Sequence, residues 1–228
     1  MKERGMIFNG EMVRAILDGR KTQTRRIVKG TDGAVKFCKE WDINGEEIFV
    51  VLGEKDHTGM NPVLGAISCP FGAVGDRIWV RETFQGPLVH EELFEEYSAY
   101  PEKFETPEYC EYAADSGVRP EYCDLDDNLR HGWRPSIHMP RWASRILLEI
   151  TDVRVERLNA ISQEDAQAEG MELTGWRPTY SDPDSGGEVM TPYDNFAELW
   201  SSIYGDESWK ANPWVWVIEF KSVEGGTA

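Results

Sequence analysis

The chain has 228 residues, with 24 Lys and Arg against 41 Asp and Glu, for a formal charge of −17. That balance argues against a broad positive face of the kind that grips long duplexes by neutralising many phosphates, and no apolar run approaches the roughly 20 residues needed to cross a bilayer. Nine Trp and nine Phe argue against wholesale disorder; the length suits one large domain or two small ones at roughly 150 residues per domain, and with no signal-like apolar stretch after Met1 the expected compartment is the cytoplasm.

Asn9 is placed to cap a helix over about 10–18, in which Met12, Val13, Ile16 and Leu17 share one face and Gly19 follows as a stop. The next stretch, Arg20-Lys21-Thr22-Gln23-Thr24-Arg25-Arg26, has no apolar member before Ile27 and reads as a loop or an exposed strand. Residues 48–52 and 76–84 read as strands, the second alternating Ile78 and Val80 with charged neighbours. Residues 85–135 are acidic and Tyr-rich, are broken by Pro87, Pro101, Pro107 and Pro120, and read as a long insertion. Residues 145–158 predict the longest strand, offering Ile150, Val153, Val155 and Leu158 to a core after one slip that a bulge would absorb. Ser162 and an acidic first turn predict a short helix ending at Glu169, with Gly170 to stop it. Residues 174–192 read as a loop; Phe196, Leu199, Trp200 and Ile203 mark an amphipathic helix ending near Gly205; 213–220 closes the fold as a strand, and 223–228 forms a frayed tail. No βαβ units repeat, so a doubly wound parallel sheet is disfavoured, and the order fits an α+β fold: a small mixed or antiparallel β-barrel flanked by short helices.

Charge is unevenly placed along the chain. Residues 1–30 carry +5 and 129–157 carry +3, whereas 84–128 carries −11 and everything from 158 onward −10. At most a local positive pocket follows from this, and either basic segment alone reads equally well as a solvated face. Cys38, Cys69, Cys110 and Cys123 are too sparse for a disulfide scaffold and are read as reduced. Cys110 and Cys123 with His131 and His138 match no common zinc spacing, so neither a metal nor a cofactor is expected.

The stretch Gly19-Arg20-Lys21-Thr22-Gln23-Thr24-Arg25-Arg26 carries the pattern G-x-K-x-x-T-x-R, and through it the chain resembles the ASCH-domain family, a β-barrel fold related to the PUA RNA-binding domains. Three further features stand in family order: Gly75-Asp76 leading a strand, a short helix ending in Glu169-Gly170, and a helix closing on Ile203-Tyr204 before Val217-Ile218-Glu219-Phe220-Lys221. The resemblance covers residues 6–29, 74–84, 141–172 and 193–222. It implies one domain over 1–222 with insertions at about 30–70, 85–140 and 173–192. Cys69-Pro70-Phe71-Gly72 and the stretch from Trp133 to Trp142 are similar to the longer, phage-associated members. Some small bacterial ASCH proteins hydrolyse the acetamide of N4-acetylcytidine with a Lys and a Thr of the signature and a later Glu. By position, the resemblance implies Lys21, Thr24 and Glu169 in those roles, with a nucleoside or modified base as partner. Other members are thought to bind RNA, and ribonuclease activity has been suggested for some.

The residue types suit an amidohydrolase independently of that family. A threonine hydroxyl needs a neighbouring base, and a lysine with its pKa lowered by burial can serve as one. Lys21 and Thr24 are close enough in sequence to meet; Glu169 could hold a water or the leaving amine, and Arg26 could stabilise an oxyanion or grip a carboxamide or phosphate. Which group is the base stays open at this stage. The plain alternative is that Lys21 is solvated, Thr24 bonds to backbone and Glu169 lies on the surface. Glu82 is a second acidic candidate, facing a pocket or paired with Arg81. Trp79, Trp142 and Trp176 could stack on a base or could simply pack. A binding module would use the same pocket, with Arg25, Arg26, Arg77, Arg81, Arg134, Arg141 and Arg145 on phosphates. A third reading makes the acidic stretch 84–128 a protein-interaction surface or a mimic of nucleic-acid charge.

Overall fold

A computed structural model describes residues 1–115, 117–123, 128–172, 174–177 and 188–223. In chain order the first half holds β1 (Glu3–Ile7), α1 (Gly10–Leu17), β2 (Gln23–Ile27), β3 (Lys36–Trp41), β4 (Glu47–Leu52), β5 (Val63–Ile67), β6 (Arg77–Arg81), β7 (Phe84–Gln85), α2 (Phe94–Ala99) and β8 (Glu111–Tyr112). The second half holds β9 (Glu121–Cys123), β10 (Leu129–His131), β11 (Leu147–Arg157), α3 (Gln163–Ala168), β12 (Thr174–Arg177), β13 (Glu188–Met190), α4 (Pro192–Tyr204), α5 (Asp206–Lys210) and β14 (Trp214–Ser222). The architecture is mixed α+β, with several antiparallel sheets and short helices. The described residues cluster into two compact units, one from 1–18, 76–149 and 221–223, the other from 19–75 and 150–220.

In the first unit β6 lies between β1, which runs parallel to it from Glu3↔Arg77 to Ile7↔Arg81, and the antiparallel start of β11, where Leu147 faces Trp79. The alternation seen in the sequence is real, because Ile78 and Val80 are buried. Helix α1 begins where Asn9 accepts a hydrogen bond from the Met12 amide, and it buries Met12, Val13, Ala15 and Ile16. Leu17, expected on that face, is half exposed instead. The 85–135 segment is more than an appended loop, since Phe104, Tyr112 and Ala114 are buried and Tyr112 packs with Phe84, Met139 and Ala143 in a core of their own.

In the second unit the rest of β11 is followed in the sheet by β14 and then β2, which is antiparallel to β14 from Gln23↔Glu219 to Ile27↔Val215. Strands β3, β4 and β5 form a separate antiparallel sheet from which Phe49 meets Trp216 edge-on at 4.9 Å. Helices α3 and α4 pack Ala166, Phe196 and Trp200 against Leu158, Ile161, Val215 and Val217. Burial of each large member contributes about 1.5–3 kcal/mol. Both helices start with reciprocal capping pairs, Ser162 with Asp165 and Thr191 with Asp194. Gly205 ends α4 at a φ of 85°, a conformation costly for any residue with a Cβ. Ile203, expected on the apolar face of α4, is exposed, because the buried stripe runs through Pro192, Phe196 and Trp200.

Two sequence expectations need correction here. The 20–26 stretch is strand from Gln23 onward but not exposed: Gln23, Thr24 and Arg25 are buried in β2 because their polar groups find partners inside the unit. The 174–192 stretch is not all loop, since β12 and β13 pair antiparallel, while 178–187 lies outside the described residues, as does all of the expected 223–228 tail after Val223. Among the described residues no helix is long and apolar enough to cross a membrane.

Candidate active site

Strand β2 sends alternate side chains to opposite faces, as any extended strand does. Gln23 and Arg25 reach the carboxylates of α3, and Lys21, two residues before Gln23, meets Glu169 at the end of that helix. Thr24 and Arg26 share the other face, where Arg26 Nη1 donates to Thr24 Oγ1 at 3.0 Å. Lys21 and Glu169 are also joined through a backbone bridge, which fixes how the two side chains approach.

The centre of the site is a buried ionic cluster. Lys21 Nζ donates to Glu169 Oε2 at 2.6 Å and to the Glu169 carbonyl at 3.0 Å. Arg25 Nη1 donates to the other carboxylate oxygen, Oε1, at 3.1 Å, so Glu169 is shared between two cations. Arg25 Nη2 also lies 3.4 Å from Asp165 and 3.6 Å from Glu156, at ion-pair distance, yet it and Arg25 Nε make no hydrogen bond. Around them, Gln23 Nε2 donates to the Asp165 carbonyl at 2.7 Å, and Arg154 ties Asp165, Glu156 and Glu219 together. The side chains of Lys21 and Arg25 are fully buried and that of Glu169 is 3% exposed. Isolated charges do not survive such burial, so this cluster persists only because every member is paired.

Burial pushes the Lys21 ammonium below its ordinary pKa; the Glu169 carboxylate opposes that shift, while Arg26 and Arg25 add to it. Burial likewise lowers Arg26, with Tyr204 and Glu169 pulling the other way. Asp165 is held below the ordinary carboxylate range although burial alone would raise it, because the hydrogen bond from Gln23, the Arg25 charge, the Ser162 amide and the Arg154 charge outweigh that cost.

Of the residues picked from the sequence, Lys21, Glu169 and Arg25 come together directly, and Thr24 and Arg26 form a pair of their own. Lys21 and Thr24 are bonded to different partners: the lysine engages Glu169 and the threonine Arg26. Arg25, assigned to phosphate contact in the binding reading, is fully buried on carboxylates. Glu82 and Arg81 belong to the other compact unit. Glu82 is 1% exposed and takes Arg145, not Arg81, through Nε at 3.0 Å and Nη2 at 3.1 Å. Arg145 also grips Asp115 through two contacts of 2.8 Å and lies 3.9 Å from the centre of the Tyr112 ring. Burial pushes Glu82 up, with Arg145 opposing. Arg81 stacks over Trp79 at 5.3 Å and donates to the Ile137 carbonyl. Arg77 and Arg141 both engage Glu3, and Arg134 donates to the Gly86 carbonyl. Trp142 is partly buried against the Phe84 core, and the Trp176 side chain lies outside the described residues.

Sequence reading missed Asp165, Gln23, Arg154 and Glu156. Asp165 alone had a visible signal, as the third residue of a capping box that starts at Ser162. Comparison of the chain with protein-family models, with curated proteins and with solved structures finds no match.

Proposed function

We propose that the chain is an amidohydrolase acting on an acylated nucleoside or base of the N4-acetylcytidine type, with Lys21, Thr24 and Glu169 as its working residues on an ASCH-type, PUA-like barrel. One observation carries the reading. Two residues 148 positions apart, selected by resemblance alone, lie in a buried hydrogen bond of 2.6 Å, and burial lowers the pKa of the lysine. A buried, easily deprotonated lysine is what activation of a hydroxyl or water at neutral pH requires.

On this reading substrate entry brings the Thr24 hydroxyl within reach of the neutral Lys21 amine, which takes its proton, while the Arg26 guanidinium, donating to Thr24 Oγ1, stabilises the negative charge. The threonine oxygen attacks the acetyl carbonyl, the C–N bond breaks, and the leaving amine of the base takes from Lys21 the proton that Thr24 gave it. Water, deprotonated by the again neutral Lys21, then cleaves the acyl-threonine, releasing acetate and returning the proton to Thr24, while the Glu169 carboxylate holds the lysine in place and balances its ammonium charge. Thr24 is 1% exposed, so the substrate reaches it only when the covering structure opens. The arginines that RNA binding would use are already engaged, Arg77 and Arg141 with Glu3 and Arg145 with Glu82 and Asp115.

The test is cytidine release from N4-acetylcytidine, followed by chromatography, for wild type and for Thr24→Ala, Lys21→Ala and Glu169→Ala. Wild-type turnover that falls by at least about a hundredfold in Thr24→Ala, with the fold intact, is expected. No wild-type turnover at high enzyme concentration, or full activity in Thr24→Ala, overturns the assignment.

A further inference from the structure

The first unit contains a concavity that plays no part in the chemistry above. It has a volume of about 1100 Å³ and is formed by residues between Pro87 and Leu129. One wall is aromatic: Phe94 and Tyr97 meet at 6.4 Å, Tyr97 meets Phe104 at 5.5 Å, and Phe104 meets Tyr109 at 4.8 Å, all edge to face. Phe104 is buried behind this wall and holds the rings in register, and the Leu88 amide donates to the Tyr109 carbonyl at 2.7 Å, tying the two sides of the wall together. The space is an open concavity, and its volume is close to that of small-ligand sites.

The polar groups of the lining set the sign of the ligand. Four carboxylates, Glu91, Glu108, Glu111 and Glu121, line the space, and among the described residues no Lys or Arg does. Glu121 has His131 at 3.4 Å, while Glu91, Glu108 and Glu111 have no ion pair among the described residues. Lys103 stands close by in sequence but is held by Glu96 at 2.8 Å and by the Tyr100 ring at 4.7 Å. Uncompensated carboxylates beside aromatic faces attract ammonium groups twice over, by charge and by the ring quadrupole. They repel phosphates and carboxylates.

We infer that this cavity binds a small organic polycation, an alkyl chain carrying two or more ammonium groups, with the methylenes against Phe94, Tyr97 and Tyr109 and the ammonium groups on the glutamates. A single ammonium would leave most of the four carboxylates unanswered. Four lining carboxylates therefore favour a chain with several.

Calorimetric titration of the full chain with spermidine tests this, in wild type and in Glu108→Gln/Glu111→Gln, a change at solvent-facing positions that keeps the shape of the lining. One-to-one binding that weakens by about tenfold or more in the double variant is expected, since two charge-assisted contacts are lost. A chain with net charge −17 also gathers polycations diffusely, so Glu164→Gln/Glu172→Gln, at carboxylates outside the cavity, is the charge-matched control and should bind as wild type. Equal weakening in both variants, or binding with no defined stoichiometry, overturns the site. So does tighter binding of uridine monophosphate than of spermidine, which would make the rings a base-stacking platform.

Discussion

Lys21 and Glu169 meet twice, through a backbone bridge and through a 2.6 Å side-chain hydrogen bond, with Arg25 holding the second oxygen of the same carboxylate. The signature segment and the short helix are thereby one structural object, and the pair has consequences for stability apart from any catalysis.

Removing one partner leaves a desolvated charge without its counter-ion. Lys21→Met or Glu169→Gln alone is expected to cost about 3–5 kcal/mol in urea unfolding, and the double variant less than the sum of the two. Strict additivity would show that the pair is not coupled in solution.

The proposed role of Lys21 gives kcat a defined pH dependence. Burial lowers its pKa from 10.5, with Glu169 opposing and Arg26 and Arg25 adding. If the neutral amine is the base, kcat rises with pH through a value below 10.5 and then levels off, a step that Lys21→Arg removes. Folding stability is linked in the same direction: the folded chain releases this proton more readily than the unfolded one, so the lysine destabilises at low pH and the penalty is relieved as pH rises to 10.5. A rate profile from about pH 6 to about pH 10 that lacks the step takes Lys21 out of the base role.

Much of this organisation was legible in the sequence, and the failures have a common physical source. Helices α1, α3 and α4 and strands β4, β6, β11 and β14 are visible because apolar periodicity or capping residues mark them. The 20–26 stretch was misread as exposed because Lys21, Gln23 and Arg25 are polar, and local reading takes polar side chains to be solvated. The carboxylates that allow their burial, Asp165 and Glu169, lie more than 140 residues away in sequence. Strand β1 pairs parallel to a distant strand, and β3 and β5 are largely exposed, so none of them carries a strong apolar stripe. The Glu82 to Arg145 pair was out of reach for the same reason as Lys21 to Glu169: both partners were named, but nothing local said which would meet.

That second pair predicts a variant whose cost depends on pH. Arg145→Met leaves Glu82 buried with its charge unanswered and is expected to cost about 3–5 kcal/mol at neutral pH. Asp115→Asn, at a half-exposed position, should cost about 0–1 kcal/mol. The folded pKa of Glu82 already stands above 4.5 because of burial, so its ionisation lowers stability as pH rises through that window. Loss of Arg145 raises that pKa further. The deficit of Arg145→Met measured by urea unfolding should therefore shrink as pH falls, and Glu82→Gln in that background should recover part of it. A deficit that is the same at all pH values would place the cost in lost packing on Tyr112 instead.

Asp165 closes the capping box of α3 with Ser162 and at the same time accepts Gln23 from β2 and Arg154 from β11. A helix of six residues has no independent stability, because nucleation alone exceeds what so few backbone bonds return. The carboxylate that starts this helix is oriented by side chains of two strands, so the helix forms with the sheet and unravels with it. Glu169 at its end therefore has no half-ordered form: the geometry around Lys21 is assembled in a single cooperative step or is lost as a whole.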